Sequence, residues 1–186
     1  MIKGFTLIIF VIFLTNFLSS SIVKEETEKI KEPPEFKYSN NEEFIVSLKN
    51  CISHLNIYIS KQEQINTELI VAQAIVESNY GTSRFAREGH NLFGIRTWSK
   101  DGMLPLKRPS TIAWRVKIFN NKCESVSYYM ETLNNHKAYK KFRKVRENTL
   151  NKDPIVLAKN LYNYAENKNY GKDVIKVINK LKNESK

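Results

Sequence analysis

Along most of the chain, apolar residues recur every three to four positions, the spacing of one face of an α-helix. Phe44, Leu48, Cys51, Ile52 and Leu55 follow Asn40 and Asn41 at that spacing and predict a first helix. A second is expected from about Thr67 to Ser78, with Asn66 or Thr67 as its N-cap and Gly81 as its stop. Residues 69–76 of that stretch are apolar on almost every side, the mark of a buried helix. Asn121-Lys-Cys-Glu124 has the form of a capping box and leads into Val126, Tyr129, Met130 and Leu133. Tyr139, Phe142 and Val145 predict another short helix. Asp153 before Pro154 reads as an N-cap with proline at the first helical position, opening a helix through Ile155, Ala158, Leu161 and Tyr162. Val174, Val177, Ile178 and Leu181 mark the last one.

One stretch breaks the helical period. Trp114, Val116 and Ile118 alternate with Arg115 and Lys117, a strand signal, and residues 92–98 are the expected partner. Asp101-Gly102 and Pro105 would lie in the loop between them. The fold class is therefore α+β, mainly helical, with a small antiparallel hairpin.

The first 21 residues differ from the rest. Lys3 precedes residues 5–18, which carry no charge, and serines follow at 19–21. This describes a secretory signal peptide cleaved near Ser21, or else an uncleaved N-terminal anchor. The apolar run is shorter than the ~20 residues that comfortably span a bilayer. The expected location is outside the cytoplasm: periplasmic, at the cell envelope, or secreted. Residues 22–43, rich in Glu and Lys and holding Pro33-Pro34, read as a charged linker, and residues 44–186 as one folded domain.

Charge and cysteine content narrow the partners. The 186 residues carry 30 Lys and Arg against 19 Asp and Glu, a net +11, and residues 47–186 alone carry +13. In an exported protein such a body points to an anionic cell-wall or membrane surface, with nucleic acid disfavoured. The densest run, Lys137, Lys140, Lys141, Arg143, Lys144 and Arg146, surrounds an apolar stripe and reads as a solvated helix face. Two cysteines exclude a disulfide scaffold and a four-cysteine zinc site. Export would permit a bond between Cys51 and Cys123. Both lie on apolar helical patterns, however, and are expected as buried small hydrophobes. His54, His90 and His136 stand singly, so no metal site is expected, and no motif calls for a cofactor.

The candidate chemistry centres on Glu77, at the end of the apolar helix and close to Gly81. Partial desolvation there would raise its pKa, which suits a general acid at neutral pH. Gln73 lies one turn earlier on the same face. Glu88, spaced i,i+4 from Arg84, reads as half of a structural ion pair.

The run Val71-Ala-Gln73-Ala-Ile-Val-Glu77-Ser78-Asn79-Tyr80-Gly81-Thr-Ser-Arg84-Phe85-Ala86, followed by Asn91-Leu92-Phe93-Gly94-Ile95, resembles the bacterial glucosaminidase family. These are peptidoglycan hydrolases of the lysozyme superfold, in glycoside hydrolase family 73, and the Bax-like branch is the most similar. Leu104-Pro-Leu-Lys107-Arg108-Pro109, Leu133-Asn-Asn-His136-Lys-Ala-Tyr139 and Leu161-Tyr162-Asn-Tyr164-Ala165 also match that branch, so the resemblance spans about residues 65–181. It implies a glycosidase acting on peptidoglycan glycan strands between N-acetylglucosamine and N-acetylmuramic acid. Glu77 would be the catalytic acid and Tyr164 an active-site tyrosine. Gln73, Ser78, Asn91, Phe93, Gly94, Trp98 and Tyr170 are expected around the substrate, with Phe93 packing and Gly94 permitting close backbone approach. A second carboxylate is open: Asp101 is the only acid in residues 96–119, and a substrate acetamido group could serve instead. A lytic transglycosylase of the same fold and a non-catalytic wall-binding module are the alternative readings.

Overall fold

The computed structural model describes residues 32–106, 113–148, 153–161, 164 and 169–184. The expected leader at residues 1–21, Lys107-Arg108-Pro109 and Tyr162 lie outside the described residues. The chain divides into two compact units, residues 1–33 and 34–186, and the second holds every element below. Its packed part therefore begins near Pro34, about ten residues before the boundary expected at residue 44. The reason is aromatic: Phe36 packs tilted and Tyr38 edge-on against Phe44, at ring distances of 5.8 and 5.2 Å.

Helix α1 runs Asn41–Asn56. Asn40 caps it by accepting from Glu43 N–H at 2.9 Å, and the Glu43 carboxylate returns to Ser39 N–H. Phe44, Leu48, Cys51 and Ile52 form its buried face. Helix α2 runs Thr67–Ser78, capped by Asn66, with Leu69 through Ile75 and Ser78 all buried. Helix α3 is Arg84–Glu88, closed by the expected Arg84–Glu88 ion pair at 3.3 Å. After the hairpin come α4 (Lys122–Asn135), a 3-10 turn at Lys137–Tyr139, α5 (Lys140–Asn148), α6 (Pro154–Ala158) and α7 (Tyr170–Glu184). Asn121 caps α4 as expected, while Glu124 reaches back one residue further, to Asn120 N–H. No helix among the described residues is long and apolar enough to cross a membrane.

The hairpin is shorter than the alternation predicts. Strands β1 (Arg96–Thr97) and β2 (Arg115–Val116) pair antiparallel, Arg96 opposite Val116, with Met103 bridging to Val116. Val116 faces inward while Ile118 is exposed, so the pattern decays past the paired residues.

The apolar α2 lies at the centre, packed on α7 along much of its length and also on α1 and α6. One contiguous core joins these helices with α4. Cys51 of α1 and Cys123 of α4 are bonded, their Cα atoms 5.7 Å apart, which corrects the reading of two independent buried thiols. Both positions do face the core, and there they face each other.

Helix α2 ends differently from expectation. Asn79, not Gly81, is the left-handed cap (φ 50°), and Tyr80 and Gly81 continue in the same region. Gly81 is nevertheless constrained: at φ 74° a side chain is strained, and a Cβ there would fall 2.5 Å from the Tyr38 hydroxyl, which donates to Gly81 O at 2.8 Å. The strap at residues 34–40 thus clasps the turn immediately after Glu77.

Candidate active site

Helix α2 presents Gln73 and Glu77 one turn apart on one side. Gln73 is fully buried; Glu77, in the last turn, is half-buried. Burial holds the Glu77 carboxyl above the usual carboxylate range, opposed by a hydrogen bond from Tyr170.

Three further segments close around that carboxyl. Helix α7 opens with Tyr170, whose hydroxyl accepts from Gln73 Nε2 at 2.9 Å and is a neighbour of Glu77. Helix α4 contributes the buried Tyr129, whose hydroxyl donates to Gln73 Oε1. Tyr164 stacks on Tyr170 (5.3 Å, 16° between planes) and donates to Phe93 O at 2.9 Å. Phe93 in turn stacks on Tyr129 at 4.1 Å. Burial pushes the Tyr129, Tyr164 and Tyr170 hydroxyls up, and the negative charge of Glu77 adds to this in each case. All three therefore stay neutral at physiological pH, as donors beside a carboxyl that is itself hard to ionise.

The Asn91–Ile95 loop also borders the carboxyl. Asn91 spends both amide donors on Ile95 O and Lys117 O, at 2.9 and 2.8 Å, and accepts from Phe93 N and Ile95 N. It ties the loop to the hairpin. Its hydrogen-bonding capacity is taken up inside the fold. Gly94 adopts φ 63° and brings its backbone beside Glu77.

The other expected site residues separate from this cluster. Ser78 is fully buried; its hydroxyl donates to Ala74 O and accepts from Gly81 N, so it caps the helix end and touches no solvent. Trp98 follows β1 and is 75% exposed on the hairpin lobe. Asp101 sits exposed in the turn beyond it, where Oδ2 accepts from Ser99 Oγ at 2.9 Å. The residue that sequence reasoning left out is Tyr129. Its signal was present: a phenol on a fully apolar helix stripe must find a buried partner. Among the described residues, no group of three His, Cys, Asp or Glu could hold a metal.

The chain is similar to known proteins on both sequence and structure. The family described as "Mannosyl-glycoprotein endo-beta-N-acetylglucosaminidase" matches residues 53–183. Protein bax of Escherichia coli (strain K12) is 34% identical over 106 residues, 55% of this chain and 36% of that protein. Exo-glucosaminidase LytG of Bacillus subtilis (strain 168) is 28% identical over 124 residues, 66% of this chain and 40% of that protein. The matches thus span well under half the length of these relatives. Among solved structures, the catalytic domain of the autolysin Auto from Listeria monocytogenes aligns with a TM-score of 0.58 at 20% identity, covering 87% of this chain and 93% of that one. The glycoside hydrolase domain of Salmonella typhimurium FlgJ aligns at 0.55 and 22% identity, covering 79% and 91%. The structural likeness is one of fold, the lysozyme-like helical body with its small β lobe.

Proposed function

The chain belongs to the glucosaminidase family, and we propose that it is a peptidoglycan hydrolase, an endo-β-N-acetylglucosaminidase with Glu77 as general acid. One observation carries this reading: Glu77 is the carboxyl at the end of the buried helix α2, held above its usual range by burial among neutral phenols. Burial favours the neutral form of a carboxyl so placed, the form that can give its proton to the glycosidic oxygen. The bond between N-acetylglucosamine and the next sugar then opens through an oxocarbenium-like state. The Tyr170 hydroxyl supports the carboxylate left behind. The substrate's own acetamido oxygen shields the anomeric carbon until water adds there, and the water's spare proton returns to Glu77. The exposed turn position of Asp101 favours this route over a second protein carboxylate. Tyr164 serves by fixing Phe93, and so the Gly94 backbone, beside Glu77. Trp98 offers an exposed aromatic face to a sugar ring further along the strand.

The basic body suits an anionic cell-wall or membrane surface, and the Cys51–Cys123 bond suits an oxidising compartment outside the cytoplasm. Mass spectrometry of digested sacculi tests the reading. Fragments ending in reducing N-acetylglucosamine are expected from internal cuts. Ends carrying 1,6-anhydro-muramic acid would make the protein a lytic transglycosylase instead, and release of terminal sugars alone would make it an exo-enzyme.

A further inference from the structure

We propose that Tyr38 is a positioning residue for Glu77: the strap that carries it holds the strained turn ending α2, and that turn sets how deeply the Glu77 carboxyl is seated. The inference deepens the hydrolase reading and rests on Glu77 being its acid.

The strain is in the backbone. Asn79, Tyr80 and Gly81 follow one another at φ 50°, 55° and 74°, all left-handed. Glycine takes that region freely and asparagine tolerates it. A bulky tyrosine does not, and it stays there because the surrounding structure outweighs the local preference. Four contacts hold the turn. Gly81 N donates to Ser78 Oγ at 2.9 Å, and Ser83 N donates to Ser78 O at 3.0 Å. The Tyr80 ring packs edge-on against Phe44 at 6.2 Å. The Tyr38 hydroxyl donates to Gly81 O at 2.8 Å and so ties the turn to a segment 43 residues away. Tyr38 is itself held by Phe44, edge-on at 5.2 Å, and by Lys122 of α4 over its ring at 5.4 Å.

Glu77 lies in the last turn of α2, two residues before Asn79. The Gly94 backbone borders its carboxyl closely. With the clasp removed, the turn relieves its strain by unwinding the last residues of α2. Glu77 moves with them, away from the Gly94 backbone and towards water. The titratable groups acting on Glu77 are Tyr170 of α7, Tyr129 of α4 and Tyr164 from the segment before α7. Tyr38→Phe leaves all three and every charge in place, so a change in the Glu77 titration reports a change in its burial. Burial favours the neutral carboxyl, and a less buried Glu77 therefore titrates lower.

The test is a carbon-13 carboxyl NMR titration of Glu77 in the full chain. It compares wild type, Tyr38→Phe and Tyr38→Phe combined with Tyr80→Asn, with Tyr128→Phe as a control on the exposed side of α4. Tyr38→Phe keeps the ring and its packing. Tyr80→Asn accepts the left-handed backbone and removes the need for the clasp. In Tyr38→Phe the Glu77 titration is expected to fall by about half to one pH unit, since the coupling cannot exceed what the hydrogen bond carrying it contributes. The combined variant restores it. The alkaline limb of sacculus hydrolysis moves down and back with it, and Tyr128→Phe changes neither. Hydrogen exchange reads the turn in wild type: the Gly81 and Ser83 amides are expected to be as protected as those in the middle of α2. A Tyr38→Phe titration equal to wild type, or one that Tyr80→Asn leaves unrestored, overturns the assignment. If Tyr38→Phe does not fold, Gly81 and Ser83 amides that exchange as fast as an exposed turn overturn it instead. A shifted and restored titration in a protein that cleaves no glycan keeps the role of Tyr38 and removes the hydrolase reading, so the two failures are distinct.

Discussion

The backbone of Gly94 lies so close to Glu77 that a Cβ built on it would sit 3.3 Å from the carboxylate Oε2. The residue also holds φ at 63°, a conformation that L side chains adopt only with strain. Two requirements, room and handedness, meet at one position beside the proposed acid. Gly94→Ala is expected to cost about 1–2 kcal/mol of stability from the left-handed backbone alone. Hydrolysis should fall by more than the lost folded fraction accounts for, because the added methyl crowds Glu77. Thermal melting and turnover on the same sample check this, and a variant as active per folded molecule as wild type contradicts it.

The raised pKa of Glu77 has a consequence for stability as well as for catalysis. A carboxyl that titrates higher when folded than when unfolded favours the fold while neutral. That contribution is fully present below its unfolded pKa and is lost as pH rises through the folded one, at about 1.4 kcal/mol per unit of displacement. Glu77→Gln can still accept from Tyr170 and carries no charge to bury. It should match wild type in acid and be more stable at neutral and alkaline pH, with the gap opening above the ordinary carboxylate range and then levelling. Chemical denaturation across pH reads this directly. A Glu77→Gln protein less stable at neutral pH would mean that the carboxyl is not desolvated.

The bond between Cys51 and Cys123 joins α1 to α4 across a sequence separation of 72 residues. Closing a loop of that size limits the unfolded chain by about 4 kcal/mol. Reduction, or the paired change Cys51→Ser with Cys123→Ser, is expected to lower unfolding free energy by that order. Denaturant unfolding with and without reductant measures it. Two reactive thiols in the protein unfolded without reductant would contradict the bond.

The helices were legible because their signals are local. Asn40, Asn66, Asn121 and Asp153 cap the helices the pattern assigns to them, and each cap needs only residues two or three positions away. Glu77 drew notice as a carboxyl ending an apolar helix, and the family resemblance of residues 71–86 singled it out. What the sequence hid is long-range. Cys51 and Cys123 sit on apolar stripes where a thiol and a small hydrophobe look alike until two helices are packed together. Tyr129 and Gln73 are 56 residues apart, and neither names its partner. Ser78 and Asn91 carry polar groups that suggest a ligand, and only the fold shows that backbone atoms use them. The strap was hidden by composition, since Phe36 and Tyr38 sit among the charges of an apparent linker.

The central claim is that the half-buried carboxyl at position 77 supplies the proton that breaks the glycan. Its most direct measurement is the rate of reducing-end release from purified sacculi by wild type and by Glu77→Gln, both verified as folded. The expected result is a fall of at least about a hundredfold, the scale of losing a general acid. Equal release by the two proteins would contradict the account.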